Sequence, residues 1–180
     1  MHFEPKTLKR MISCLEKGEV IAAPAEGVYG FCADPFNPIG LEGLLEIKKR
    51  SPGKGFVVIV SSVGYLNLLT QTLNQQHWDL IDEYWPGPTT LLLPARDDLH
   101  KLLTGGSGKV AVRLPASPHM KEYLDAWGGP LVSTSANLSG QPPAQTAEEI
   151  KDKVFILPSQ NPLNGSVSTI IDAETGQRVR

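Results

Sequence analysis

Apolar positions along the chain follow two periods, and each stretch points to its element. In TLKRMISCLE (7–16), Leu8, Met11, Ile12 and Leu15 fall at i, i+3, i+4 and i+7. That spacing predicts an amphipathic helix, which Gly18 ends. VIAAP (20–24) reads as a buried strand, and the Glu26-Gly27 step begins a turn. Asn37-Pro38 supplies a cap and a first-turn proline for a second helix striped by Leu41, Leu44 and Leu45. Its last turn is expected to carry Lys48, Lys49 and Arg50, where cations favour the helix dipole. FVVIVS (56–61) is a short β-branched strand, apolar on both faces.

Helical patterns recur around 62–70 and 75–84, and SPHMKEYLDAW (117–127) forms another with Pro118 in its first turn. TTLLLPA (89–95), KVAVRLP (109–115) and PLVSTS (130–135) read as strands. Thr146-x-x-Glu149 has the form of a capping box opening a short helix. VFILP, STIID and RVR then close the chain as strands, with a turn at Thr175-Gly176. This alternation predicts an α/β domain, helices packed on a twisted sheet. The hairpin-like stretch 168–180 makes the sheet mixed rather than all-parallel. Without internal repeats or low-complexity linkers, residues 1–180 are expected to form a single domain.

Composition adds limits. A chain of 180 residues with 41% hydrophobic and 20% charged residues can bury a substantial core. It has no apolar run long enough to span a membrane and no signal-like N-terminus, so a cytoplasmic protein is expected. Cys14 and Cys32 show neither CxxC nor metal spacing and are read as reduced, mostly buried thiols. The four histidines lie far apart, which leaves no zinc pattern.

The net charge of −2 argues against nonspecific coating of nucleic acid, but positive charge is concentrated locally. In IKKRSPGKGFVVI (47–59), Lys48, Lys49, Arg50 and Lys54 gather immediately before a buried strand. A solvated loop and an anion site both fit that pattern. GGSGK (105–109) lacks the leading glycine and the trailing Ser or Thr of a P-loop, because Leu103 and Val110 stand there; a flexible loop is the reading. WPGPTT (85–90) is a rigid corner. STSANLSG (133–140) crowds hydroxyls and an amide at the C-terminal end of a strand, where open α/β sheets place ligands. Arg113 ends an otherwise apolar strand and needs a partner, either a structural carboxylate or a ligand's carboxylate or phosphate.

Together, PAEGVYGF (24–31), KKRSPGKG (48–55), WPGPTT, VAVRLP (110–115), PLVSTSANLSG (130–140) and STIID (168–172) resemble the YrdC/TsaC family of threonylcarbamoyl-AMP synthases, in its short single-domain bacterial form. The resemblance runs from about Val20 to the C-terminus and implies a twisted mixed sheet with a concave, positive ligand-binding face. It implies that L-threonine, bicarbonate and ATP are converted to threonylcarbamoyl-AMP and pyrophosphate. Partner proteins would then use the product to modify tRNA.

By the same resemblance, Lys48 and Arg50 fall at the triphosphate and Lys54 near the nucleotide. Arg113 falls on the threonine carboxylate, and Ser133, Ser135 and Asn137 line the amino-acid and nucleotide sites. Ser168 and Arg180 close over the ligand. Mg²⁺ is expected to arrive through the ATP phosphates, with no protein-held metal and no obligatory general base. The family's PTETVYG stretch reads PAEGVYG here, and its K-x-R-P proline is displaced to Pro52 by Ser51. Two other classes remain. One is an RNA-binding or ribosome-maturation module using the same basic face, with direct tRNA contact. The other is a carbamoyltransfer domain of the kind found in larger hydrogenase-maturation proteins.

Overall fold

The computed structural model describes residues 2–138, 140–159, 163, 165 and 168–180. In chain order the elements are helix α1 (Pro5–Glu16), strands β1 (Ile21–Pro24) and β2 (Tyr29–Ala33), helix α2 (Pro38–Lys48), strand β3 (Val57–Ile59) and helix α3 (Gln75–Tyr84). They continue with β4 (Thr89–Pro94), α4 (Lys101–Thr104), β5 (Lys109–Arg113), α5 (Pro118–Trp127), β6 (Leu131–Ser135), β7 (Phe155–Ile156) and β8 (Thr169–Asp172). Short 3₁₀ turns occupy Pro52–Lys54, Val63–Leu68 and Ala147–Glu149.

The strands form one sheet in the order β7-β1-β2-β6-β3-β5-β4-β8. Pairing is parallel at β1–β7, β3–β5 and β4–β8, and antiparallel at β1–β2, β2–β6, β3–β6 and β4–β5, so the sheet is mixed as expected. Strand β2 was not anticipated. Its residues YGFCA are all buried, and it contains a glycine and little of the β-branched signal that marks FVVIVS.

Successive side chains on a strand point to opposite faces, and the two faces carry separate cores. Tyr29, Phe31 and Ala33 of β2 join Val58, Val110, Val112 and Val132 on one face, beneath Leu41 and Leu44 of α2 and Ile81 of α3. On the other face Ile21, Ala23, Cys32, Ile59 and Leu131 pack with Met11 and Leu15 of α1 and with Met120, Tyr123 and Leu124 of α5. Both cysteines are free, and burial pushes the Cys32 thiol up to about 12, so it packs as an inert apolar group.

Two local expectations are corrected. Helix α2 ends at Lys48; Lys49 is its left-handed C-cap (φ 47°) and Arg50 lies beyond it, so only Lys48 occupies the last turn. At Thr146 no side-chain cap forms. Glu149 Oε2 instead accepts from the Gln145 N–H at 2.8 Å, and the following turn is 3₁₀. Among the described residues, no helix is long and apolar enough to cross a membrane.

Candidate functional site

The face that carries α1 and α5 is left open over β3, β5, β6 and β8. There the sheet lines a cavity of about 380 Å³. Its floor follows the period-two rule: Val57 and Ile59 of β3, Ala111 and Arg113 of β5, and Ser133 and Ser135 of β6 all face it. The β3–β5 register sets Ile59 opposite Arg113, and the β2–β6 register sets Gly30 opposite Ser135. An alanine Cβ at Gly30 would lie 2.8 Å from Ser133 Oγ, so the glycine makes room for that serine.

Two loops form one wall. The stretch after α2 brings Arg50 and Lys54 to the cavity, and the segment after α4 brings Ser107. These loops touch backbone to backbone. Phe56 N–H donates to Leu103 C=O at 2.9 Å, and Gly55 and Gly105 both adopt positive φ where a Cβ would collide with the facing loop. The GGSGK stretch is therefore a fitted partner of the basic loop, which the sequence reading as a flexible loop missed. Lys109 also faces the cavity, and its ammonium is held by Asp172 and Glu174, each at 2.7 Å.

Arg50 lies in the cavity wall. Its guanidinium lies 5.2 Å over the Phe56 ring, and its Nη2 donates to Lys54 C=O at 3.3 Å. Its Nε–H is buried and finds no hydrogen-bond partner among the described residues. Burial, and then the like charge of Arg180, pull its pKa below the ordinary arginine value. An anion entering beside Arg50 would relieve both penalties. Arg180 reaches this wall because its C=O accepts from the Ile170 N–H of β8 at 3.0 Å, and its Nη2 lies 3.4 Å from the Ser168 carbonyl and hydroxyl. Ser168 in turn accepts from Thr90 Oγ1 at 3.2 Å.

The opposite end is built around Arg113. Its Nε–H donates to Gly87 C=O at 3.0 Å, so the WPGPTT corner positions the guanidinium as well as turning the chain. Trp85 Nε1 braces that corner by donating to Thr89 C=O at 2.7 Å. Arg113 Nη2 pairs with Glu26 Oε2, while Glu26 Oε1 accepts from the backbone N–H groups of Ala116 and Ser117. Glu26 is thus a cavity residue that the sequence reading did not select. The available signal was a lone acid inside the otherwise apolar run AAPAEGVYGF.

Of the nine residues proposed from sequence, seven line the cavity: Arg50, Lys54, Arg113, Ser133, Ser135, Ser168 and Arg180. Lys48 and Asn137 lie behind its wall. Lys48 is buried, and its ammonium donates to Ser135 C=O (2.5 Å), Asn137 C=O (3.0 Å) and Asn137 Oδ1 (2.9 Å). Asn137 Oδ1 also accepts from Ser135 Oγ at 2.7 Å, and its Nδ2 donates to Gln141 C=O at 2.5 Å. Ser139, in the same segment, lies outside the described residues.

The result is an α/β domain whose cavity carries Arg50, Lys54 and Arg180 in one part of its lining and the Arg113–Glu26 pair in another. The Sua5/YciO/YrdC domain model, described as "Telomere recombination", matches residues 13–180, and the chain belongs to that family. Among curated relatives it is 39% identical over 184 residues to a threonylcarbamoyl-AMP synthase of Vibrio campbellii, covering 97% of this chain and 98% of that one. It is 38% identical over 183 residues to the synthase of Alkalilimnicola ehrlichii, covering 96% and 94%.

Among solved structures, P. abyssi Sua5 complexed with L-threonine aligns with a TM-score of 0.86 and 27% identity. That alignment covers 96% of this chain and 52% of the Sua5 chain, so this chain spans about half of that protein. E. coli YciO shares the fold, with a TM-score of 0.82 and 22% identity over 94% of this chain and 84% of its own.

Proposed function

We propose that this chain is a threonylcarbamoyl-AMP synthase, a nucleotidyltransferase making threonylcarbamoyl-AMP and pyrophosphate from L-threonine, bicarbonate and ATP. The observation that carries the reading is one cavity lined both by Arg113 and by Arg50, Lys54 and Arg180. Arg113 offers a carboxylate site at one end, and Arg50, Lys54 and Arg180 offer a polyphosphate site at the other. The synthase relatives and the threonine-bound Sua5 structure support it.

In the reaction, the threonine amine bonds to carbon dioxide derived from bicarbonate and loses a proton, giving an N-carboxylate. A carboxylate oxygen then bonds to the α-phosphorus of ATP, and the bond to the β-phosphate oxygen breaks, releasing pyrophosphate. The protein's contribution is placement and charge: Arg113 fixes the amino acid while Arg50, Lys54 and Arg180 offset charge on the leaving pyrophosphate. On the floor between the ends, Ser133 offers a hydroxyl without adding charge, while Ser135, whose hydroxyl donates to Asn137 Oδ1, offers its oxygen as an acceptor.

No group of three or more His, Cys, Asp or Glu side chains poised for a metal occurs among the described residues, and Asp172 and Glu174 are engaged by Lys109. Mg²⁺ would be carried by the nucleotide phosphates, where it would offset their charge. The setting would be the cytoplasm, with tRNA-modification proteins consuming the product.

Pyrophosphate release measured with ATP, bicarbonate and a panel of amino acids tests the reading. Release is expected to depend on threonine and bicarbonate together. Release that ignored threonine, or RNA binding with steep salt dependence and no ATP consumption, would overturn it in favour of an RNA-binding module.

A further inference from the structure

Glu26 holds two different structures at once. One carboxylate oxygen takes the backbone N–H groups of Ala116 (2.8 Å) and Ser117 (2.9 Å), at the entrance to α5, and the other takes Arg113 Nη2. Arg113 is largely buried, with its side chain 12% exposed, and burial lowers its pKa from the ordinary value. A guanidinium in that setting needs a fixed counter-charge, or it turns toward the nearest water.

The hydrogen-bond count shows what the pair achieves. A guanidinium has five N–H groups in a planar fork. In Arg113 one goes to Gly87 C=O and one to Glu26, which leaves three for a ligand among the described residues. Two anchors, one on Nε and one on Nη2, fix its plane. Glu26 cannot follow the guanidinium if it swings, because the α5 entrance holds its other oxygen.

We propose that Glu26 is a positioning residue for amino-acid recognition: it clamps Arg113 between β5 and the entrance to α5, so that the remaining N–H groups meet the substrate carboxylate. The proposal rests on the synthase reading above. It assigns Glu26 no contact with ATP and no proton transfer. A simple clip between the 24–31 segment and α5 would use the same contacts to the Ala116 and Ser117 amides but would have no bearing on threonine affinity.

Glu26→Gln separates the two roles, because the amide oxygen can still accept both backbone N–H groups while the charge facing Arg113 is gone. Steady-state pyrophosphate release should show the threonine KM raised roughly 30-fold or more, the scale expected when a buried charge loses its partner. The ATP KM should stay within about twofold, and saturating threonine should recover most of kcat. Glu26→Asp, which keeps the charge but falls short of spanning both anchors, should give an intermediate threonine KM.

In a double-mutant cycle, Glu26→Gln should add little to Arg113→Ala, because one residue acts through the other. A threonine KM within about twofold of wild type in Glu26→Gln, or threonine and ATP KM rising together, overturns the proposal. So does full additivity with Arg113→Ala. Should Glu26→Gln fail to fold, Glu26→Asp and the Arg113 cycle built on it decide the matter. A wild-type protein without threonine-dependent release would overturn the synthase reading instead, and this proposal with it.

Discussion

Lys48, at the end of α2, and Asn137, in the loop after β6, are joined twice: the lysine ammonium donates to the asparagine's backbone carbonyl and to its side-chain oxygen. With Ser135 C=O as third acceptor, the ammonium's three protons meet three oxygens. A cation placed by resemblance at the triphosphate stands here as the knot that shapes the serine-rich loop behind the cavity wall.

Removing that knot orphans buried acceptors. Lys48→Met should lower the unfolding free energy by about 1–3 kcal/mol, read from the urea midpoint at constant m. Activity should fall further than stability explains, because Ser133 and Ser135 lose their fixed positions. A variant as stable as wild type would show that the three contacts contribute nothing net.

The same residue sets a pH dependence. Burial, and then the charge of Arg50, lower its pKa from 10.5 to about 8. Folded Lys48 therefore releases its proton near pH 8, whereas an unfolded lysine holds it until about 10.5. Between those values the unfolded chain binds more protons, so stability arising from Lys48 rises with pH in that window and is flat below it. The difference in unfolding free energy between wild type and Lys48→Met should increase across the window. A flat difference would place the folded pKa near the ordinary value.

Arg50 carries the strongest expectation for catalysis. Arg50→Ala should cut kcat/KM for ATP roughly 100-fold, the scale of losing one preorganised donor to a developing anion. Arg50→Lys should recover part of it. A near-wild-type rate for Arg50→Ala would remove the polyphosphate assignment from this wall.

Gly105 and Gly106 make a matched pair of tests. Both have positive φ, 64° and 75°, but a Cβ at Gly105 would lie 2.6 Å from Gly53 C=O, whereas one at Gly106 meets nothing within 4 Å. Gly106→Ala should cost only the left-handed penalty of about 1–2 kcal/mol. Gly105→Ala should cost clearly more and raise the ATP KM, since it pushes the basic loop away. Equal thermal shifts for the two variants would deny the contact between the loops.

Much of this was legible in the chain because period and punctuation are local signals. The 3.6-residue stripe of α1, the Asn37-Pro38 start of α2 and the β-branched run of β3 each mark their element without help from the rest of the fold. β2 escaped because its residues are small or aromatic and its strand state follows from pairing with β1 and β6. The site divides in the same way. Charge and hydroxyl density pointed to Arg50, Arg113 and the 133–137 segment. Whether a side chain faces the cavity or the wall behind it depends on partners far along the chain: Asn137 lies 89 residues from Lys48, and Arg113 lies 87 from Glu26.

The pairing of β8 with β4 has a consequence for synthesis. Chains are made from the N-terminus, and Ser168 and Arg180, which complete the cavity wall, are made after every other strand of the sheet. A nascent chain that has formed only strands β1 through β6 lacks the part of the lining supplied by Ser168, Ile170 and Arg180. The cavity lining is complete only once residues 168–180 have been made and β8 has paired with β4.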